Sequence, residues 1–381
     1  MASTYTVYGN EALDRRIDRD MTVIAETVAR IIPAPHLAAV ILGGGYGRGE
    51  GGVEILADTE MKLFNDYDLF VITRKLSRSA QKRYSTDLRQ TSVHLSETMG
   101  LEVDFGPLKN VSELPKLPPT MMWFELKHGH RVIFGPADIL NAVPDFDGNR
   151  LPPDNAMQLM LNRGVGLLLS REKLAKSLDA AEDQEFVTRN IFKAVMACGD
   201  AFLMLYGRFD SSYCRRRSLL AEFQGARELQ DTELLPLYEQ AIDYKLQPTH
   251  HRNKAELQEL YERMLPVFRY FYSFVLSAVY DIPRDFGYEW DFYLAMRNWH
   301  DQAGVKTRAK NILLNLYYVG PQFSPWFLFV RYPRFRLYLA LPQLLLVNHL
   351  PEPWEYEVLG LNEPEPDVLY KRFMTLWQRF N

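Results

Sequence analysis

Three aspartates and a run of glycines are the residues of this chain whose types and spacing suit chemistry. Asp66 and Asp68 stand in Asn65-Asp66-Tyr67-Asp68, at the start of an apolar run that continues through Ile72. Separated by one residue on a strand, two carboxylates point to the same face. There they repel each other unless a cation lies between them. Upstream, the apolar run from His36 to Leu42 ends in Gly43-Gly44-Gly45-Tyr46-Gly47-Arg48-Gly49-Glu50-Gly51-Gly52. A glycine turn after a strand lets backbone N–H groups approach an anion closely. Downstream, Leu101-Glu102-Val103-Asp104-Phe105 sets Asp104 between two apolar residues that face the other way. Together these residues suggest a phosphate cradle beside a divalent-metal site.

The elements that must position them are legible from hydrophobic spacing. Leu13, Ile17, Met21, Ile24, Val28 and Ile31 predict a helix over Glu11 to Ile32, ended by Pro33 and Pro35. Strands are expected at His36 to Leu42, Tyr67 to Thr73 and Leu101 to Phe105. Between the last two, Leu76 to Met99 reads as a helix with Leu76, Ala80, Tyr84, Leu88, Val93 and Leu95 near one side, stopped by Gly100. Val53 to Phe64 is a connector that suits a hairpin or lid. Pro107 to Pro119 is a proline-spaced loop, and Met122 to Phe134 a further helix or strand. The Pro-, Asp-, Gly- and Asn-rich stretch from Pro144 to Asp154 marks a domain boundary. This gives domains at 1–148 and 149–381. Beyond it the spacing is helical over Ala156 to Ala175, Gln184 to Tyr206, Ser218 to Tyr244, Lys254 to Val279 and Tyr288 to Tyr318.

In this order the residues resemble the nucleotidyltransferase fold of the DNA polymerase beta superfamily. The family signature is a Gly-Gly or Gly-Ser turn, an Asp-x-Asp pair between apolar residues, and a third acidic residue on a later strand. Gly44-Gly45-Tyr46-Gly47-Arg48-Gly49-Glu50, Asp66-Tyr67-Asp68-Leu69 and Val103-Asp104-Phe105 match it across roughly residues 10 to 140. The resemblance implies an α+β chain: a mixed sheet flanked by helices, followed by an all-α substrate-binding domain. It also implies transfer of a nucleoside monophosphate from a nucleoside triphosphate to a hydroxyl, in the cleft between the two domains. Asp66 and Asp68 would bridge two Mg²⁺ ions, and Asp104 would bind the catalytic one. Gly44, Gly45, Tyr46 and Arg48 would hold the nucleotide's phosphates, and Lys193 would meet the triphosphate from the helical domain. Two Mg²⁺ about 3.5–4 Å apart suit such an in-line displacement. Two departures stand out: Gly45 replaces the serine of many members, and the stretch from Tyr46 to Asn65 is longer than the family's usual spacing.

Elsewhere the sequence narrows the possibilities. At 381 residues, 47% hydrophobic and 24% charged, the chain reads as a globular protein of two domains. A net charge of −4 without a basic stripe favours a small-molecule acceptor over a long nucleic acid. Transfer to a protein side chain or RNA end is the alternative, and a degraded, nucleotide-binding regulator another. Cys198 and Cys214 lack metal-ligand spacing and suit a reducing cytoplasm. No signal peptide or transmembrane run is evident. Trp326 to Val347 comes nearest, and reads as a buried helical segment or a membrane-surface patch with snorkelling arginines. Tyr317, Tyr318, Phe323, Trp326, Phe327 and Phe329 suit either a bundle core or a docking surface. Arg189, Lys193 and Asp200 fall within about 40° on one helix, which makes a solvated or cleft-lining stripe. Asn162-Arg163 is a weaker candidate of that kind. Arg215-Arg216-Arg217 reads as a solvated loop run, and His128, His130, His250 and His251 as loop histidines. Neither a P-loop nor a Gly-x-Ser-x-Gly elbow occurs.

Overall fold

The computed structural model describes residues 4–57, 60–248, 252–284, 288, 290–299, 303–320, 325–347, 352–362 and 365–380. His250, His251 and Phe323 therefore lie outside the described residues. The chain is α+β, with a mixed sheet in its first third and helices beyond. It forms two compact units. Unit 1 is Met1–Pro152 with Tyr206–Ala226 and Tyr238–His250; unit 2 is Pro153–Leu205, Arg227–Leu237 and His251–Asn381. One break, at Pro152, falls within the Pro144–Asp154 stretch, yet two segments of the helical half belong with the sheet.

Unit 1 begins with α1 (Glu11–Ile31), whose N-cap Asn10 side chain accepts from the Leu13 N–H at 3.0 Å. Then come β1 (Leu37–Leu42), the short turn α2 (Gly44–Gly47), β2 (Gly52–Ala57), β3 (Glu60–Phe64) and β4 (Asp66–Thr73). They are followed by α3 (Arg78–Met99), β5 (Glu102–Phe105), β6 (Lys109–Asn110), α4 (Met121–His128) and β7 (Arg131–Phe134). The main sheet runs β5-β4-β1-β7, with β6 also paired to β4. β1 is antiparallel to β4 and β7, whereas β4 and β5 are parallel and joined through α3.

Both faces of this sheet are covered. Leu37, Val40 and Leu42 of β1 and Tyr67, Leu69 and Val71 of β4 pack with the apolar stripes of α1 and α3. Ala38, Ala39 and Ile41 of β1 and Phe70 and Ile72 of β4 pack with Leu114, Trp123 and Leu126 on the opposite side. Two-sided burial explains why β1 is an uninterrupted apolar run. It also decides which face the acids take. Alternation along β4 puts Asp66 and Asp68 on the side of Phe70 and Ile72.

On α3 the buried residues are Tyr84, Leu88, Leu95 and Met99, while Val93 is exposed. Two residues from Leu95, Val93 is turned about 200° away. Gly100 ends α3 in the left-handed region at φ 60°. The connector from Val53 to Phe64 belongs to an antiparallel hairpin, β2–β3, with Gly52 opposite Phe64.

The helical half contains α5 (Asp154–Leu174), α6 (Ala181–Leu205), α7 (Tyr213–Ala221), α8 (Arg227–Gln230), α9 (Leu234–Leu246) and α10 (Lys254–Tyr280). It closes with α11 (Trp290–Asn298), α12 (Val305–Tyr318), α13 (Trp326–Val330), α14 (Arg334–Leu345), α15 (Pro353–Val358) and α16 (Pro366–Phe380). Two expected long helices are interrupted. Ser218 to Tyr244 is divided among α7, α8 and α9. Tyr288 to Tyr318 contains α11 and α12, the latter capped by Gly304. The Arg215–Arg217 triplet lies on α7, not in a loop. Trp326 to Val347 contains α13 and α14, and its Arg331 and Arg336 are buried rather than snorkelling. Arg331 Nη1 donates to the Met296 carbonyl at 2.7 Å, and Arg336 Nη1 to the Val358 carbonyl at 2.7 Å. Among the described residues no helix is long and apolar enough to cross a membrane.

Candidate active site

The register of β4 on β5 assembles the acids. Asp68 is the direct partner of Asp104, and Asp66 that of Glu102. Neighbouring strands lie about 4.8 Å apart, so the parallel pairing aligns Asp104 with Asp68 on the sheet face that also holds Asp66. Asn65 precedes them with φ 83°, a left-handed conformation that asparagine tolerates. Its side-chain amide donates to Asp66 Oδ1 at 2.5 Å.

The glycine turn reaches the acids from β1. The Gly43 N–H donates to the Asp68 carbonyl at 2.8 Å. Gly44 has φ +59°, and a Cβ there would lie 1.8 Å from Asp68 Oδ2. Backbone thus comes as close to the carboxylate as a residue without a side chain allows. Gly44→Ala is expected to displace the Asp68 carboxylate, strain the turn and cost about 2 kcal/mol or more of stability. Chemical denaturation checks this, and a loss below about 0.5 kcal/mol would contradict it. At Gly45 a Cβ would press on the Glu50 carbonyl oxygen at 3.0 Å. A serine there, as in many family members, would need the Glu50 carbonyl to give by a few tenths of an ångström.

The side chains of Tyr46 and Arg48 are both buried. Tyr46 is buried, and its hydroxyl lies 2.8 Å from the Gly52 carbonyl oxygen and 3.0 Å from the Phe64 N–H it accepts. It closes the base of the β2–β3 hairpin, so only its backbone remains available to a phosphate. The Arg48 side chain is 5% exposed. Its Nε is 3.4 Å from Glu50 and its Nη1 4.0 Å from Glu125, while the guanidinium lies 4.5 Å from the Tyr213 ring centroid. Arg48 therefore braces the turn from within, its guanidinium engaged by Glu50, Glu125 and Tyr213.

Glu50 fastens the same turn to α7. It accepts from the Ser212 hydroxyl at 2.7 Å, the Tyr213 N–H at 2.8 Å and the Cys214 N–H at 3.1 Å. A carboxylate at a helix N-terminus satisfies its orphan donors. Burial pushes the Glu50 carboxyl up, but these three bonds together with Arg48 bring it below its ordinary value. The middle arginine of the triplet, Arg216, completes the cluster. It is 1% exposed and 3.0 Å from Glu125, with its guanidinium 4.9 Å from the Phe209 ring centroid and 4.4 Å from that of Tyr213. Two arginines and two glutamates thus balance inside unit 1.

Burial first, then the charge of Asp66, push the Asp68 carboxyl up to about 7; Lys245 and Arg48 oppose them and Asp104 adds to them. Lys245, near the end of α9, also lies 5.7 Å from the Tyr213 ring. It brings positive charge to the carboxylates from 177 residues along the chain, and no motif announced it. Arg216 did carry a signal: Arg216, Leu219 and Leu220 are all buried at helical spacing, i, i+3 and i+4. Lys193 lies on α6 in unit 2 and is half-buried. His128 ends α4, and its Nδ1 lies 2.9 Å from the Phe124 carbonyl oxygen; His130 Nδ1 lies 3.2 Å from that of Lys127.

Among the described residues no three His, Cys, Asp or Glu side chains converge closely enough to enclose a metal ion. The donor set nevertheless fits Mg²⁺. Its oxygens are hard, the carboxylates crowd one face with a like-charge penalty on Asp68, and Mg²⁺ sites often combine one or two carboxylates with substrate phosphates.

No protein-family model matches the chain, and no curated protein does. Among solved structures the chain is similar to the spectinomycin adenyltransferase AAD(9) from Enterococcus faecialis, crystallised with ATP and spectinomycin. The two share 14% identity over 65% of this chain and 98% of that one, with a TM-score of 0.33.

Proposed function

We propose that unit 1 is the catalytic part of a nucleotidyltransferase that moves a nucleoside monophosphate from a nucleoside triphosphate to a hydroxyl of a small molecule. One observation carries this reading: Asp66, Asp68 and Asp104 share a sheet face, Asp68 and Asp104 in direct register, beside a glycine turn that only a residue without a side chain could bring so near. The charge balance supports a small acceptor, since the chain carries −4 and offers no field to draw a polyanion.

In this reading the acceptor oxygen attacks the α-phosphorus, the bond from that phosphorus to the oxygen bridging toward the β-phosphorus breaks, and pyrophosphate leaves. Asp104, which is exposed, takes the hydroxyl proton on a carboxylate oxygen. Asp66 and Asp68 would hold two Mg²⁺ and Asp104 one of them, supplying Lewis-acid neutralisation of the phosphoryl charge. The backbone of Gly44, Gly45 and Tyr46 receives the outer phosphates. Lys245 adds a cation on the same side of unit 1, as its pull on Asp68 supports. Lys193 is proposed as a second cation for the triphosphate. Two free cysteines, one buried and one half-buried, suit a reducing cytoplasm.

Purified protein incubated with each labelled nucleoside triphosphate, Mg²⁺ and a small-molecule cell extract is expected to give a new low-mass labelled product. Asp66→Asn and Asp104→Asn should each lower its yield by about a hundredfold or more. Label on protein or RNA instead would shift the acceptor class. Nucleotide binding without any product, or a product that both variants still make, would overturn the reading.

A further inference from the structure

Helix α12 turns asparagines inward. Its fully buried residues are Asn311 and Asn315, with Ile312, Leu314 and Tyr318 half-buried. Four of its apolar residues, Val305, Leu313, Leu316 and Tyr317, are 84%, 68%, 42% and 81% exposed. A surface helix normally buries its leucines and shows its asparagines.

The inversion is locked by directional bonds. Asn311 Nδ2 donates to the Val330 carbonyl at 3.0 Å. Asn315 Nδ2 lies within hydrogen-bond distance of the Phe329, Arg331 and Asn311 carbonyls, at 3.1, 2.9 and 2.9 Å. Buried Arg336 donates from Nε to Asn315 Oδ1 at 2.8 Å. Turning the leucines inward would strand all of these buried groups without partners. At about 100° per residue, Val305, Ala309, Leu313, Leu316 and Tyr317 span about 120° of the outward side, with Lys306 and Lys310 overlapping one edge. Both lysines are exposed. Lys306, Lys310, Leu313, Leu316 and Tyr317 thus form one open face of a single helix. Trp326 on α13 is 70% exposed as well.

Charge chooses the occupant. α12 reads Val-Lys-Thr-Arg-Ala-Lys-Asn-Ile-Leu-Leu-Asn-Leu-Tyr-Tyr, with three basic residues and no acidic one, on a chain whose net charge is −4. A second copy of α12 laid parallel on this stripe would bring lysines against lysines, and one laid antiparallel would set the lysines over its leucines. A surface of negative headgroups over an apolar interior complements it: leucines enter the acyl boundary, tyrosine sits at headgroup level, and lysines meet the phosphates. We propose that α12 docks unit 2 peripherally on an anionic lipid surface. The helix is a handle on the bilayer and does not span it.

Co-sedimentation of the full chain with vesicles of pure phosphatidylcholine, and of equimolar phosphatidylcholine and phosphatidylglycerol, tests this. Binding is expected to the anionic vesicles, to weaken with salt, and to fall by about tenfold or more in Lys306→Glu/Lys310→Glu. Leu313→Gln/Leu316→Gln should abolish it while leaving the circular dichroism and melting temperature unchanged, because neither leucine is in the core. Equal binding to both vesicle types, no binding to either, or a concentration-dependent dimer that the leucine variant dissolves would each overturn the proposal. The last outcome would assign the stripe to a second copy. Nucleotidyl transfer is not read out, so failure here leaves the proposed activity of unit 1 standing.

Discussion

Asp68→Asn is expected to cut nucleotidyl transfer about a thousandfold while making the cation-free protein more stable at neutral and alkaline pH. The two effects share one cause. In the folded chain Asp68 is held by burial, and then by the Asp66 charge, at about 7 instead of its ordinary 3.8. A carboxyl raised by folding keeps its proton after the unfolded chain has lost it. Its stabilising contribution is therefore complete below about 3.8 and is lost as the pH rises to about 7. The full gap would be worth about 4 kcal/mol at about 1.36 kcal/mol per pH unit. Water at the rim of this half-buried site reduces that to about 2 kcal/mol. Asparagine keeps the shape and never ionises, so it removes the penalty.

Melting in chelator should show the wild type less stable at about pH 8 than at about pH 5 in the unit 1 transition, and the variant flat across that range. Mg²⁺ should raise the wild type alone at the higher pH. Transfer by the variant should drop about a thousandfold, equivalent to about 4 kcal/mol of lost transition-state stabilisation. A variant that melts like the wild type in chelator at both pH values would refute the electrostatic account, and one that retains turnover would refute the catalytic one. Stability conceded at a cluster of like charges is what a site poised for a cation predicts.

Arg216→Ala is expected to be the most damaging single change to unit 1, at about 3–5 kcal/mol. Arg216 is the near partner of Glu125 at 3.0 Å, and the other cation, Arg48, stands 4.0 Å from it. Alanine leaves that carboxylate underpaired and takes the guanidinium away from the Phe209 and Tyr213 rings. Because Tyr213 and Glu50 join α7 to the glycine turn, the loss should be felt in the turn as well. In calorimetry the affected transition should be the one that also responds to Asp68→Asn. Arg216→Met with Glu125→Leu should recover most of the loss, since apolar replacement of a whole buried pair is often neutral. A loss below about 1 kcal/mol for Arg216→Ala would show that the cluster is solvated and structurally idle.

The local part of this protein was legible from residue spacing alone. Periodicity of apolar residues placed α1, β1, β4, α3 and β5, because a helix or strand of given period can bury only one stripe or one face. Alternation put Asp66 and Asp68 on one side of a strand. Gly100 was readable as a helix stop because it can take the left-handed conformation seen there. What joins residues far apart was decided only by the tertiary structure. Strand register set Asp104 against Asp68, and nothing in either strand's composition specifies that pairing. Arg48 read as a loop arginine free to meet phosphate, and became a buried brace because Glu125, Tyr213 and Arg216 close over it from 77 to 168 residues away. Lys245 reached the carboxylates the same way. On α12 the amphipathic stripe was in the sequence, yet its direction was not. Hydrophobic period tells which residues share a face, and only the carbonyls of Phe329, Val330 and Arg331 waiting for Asn311 and Asn315 turned that face outward.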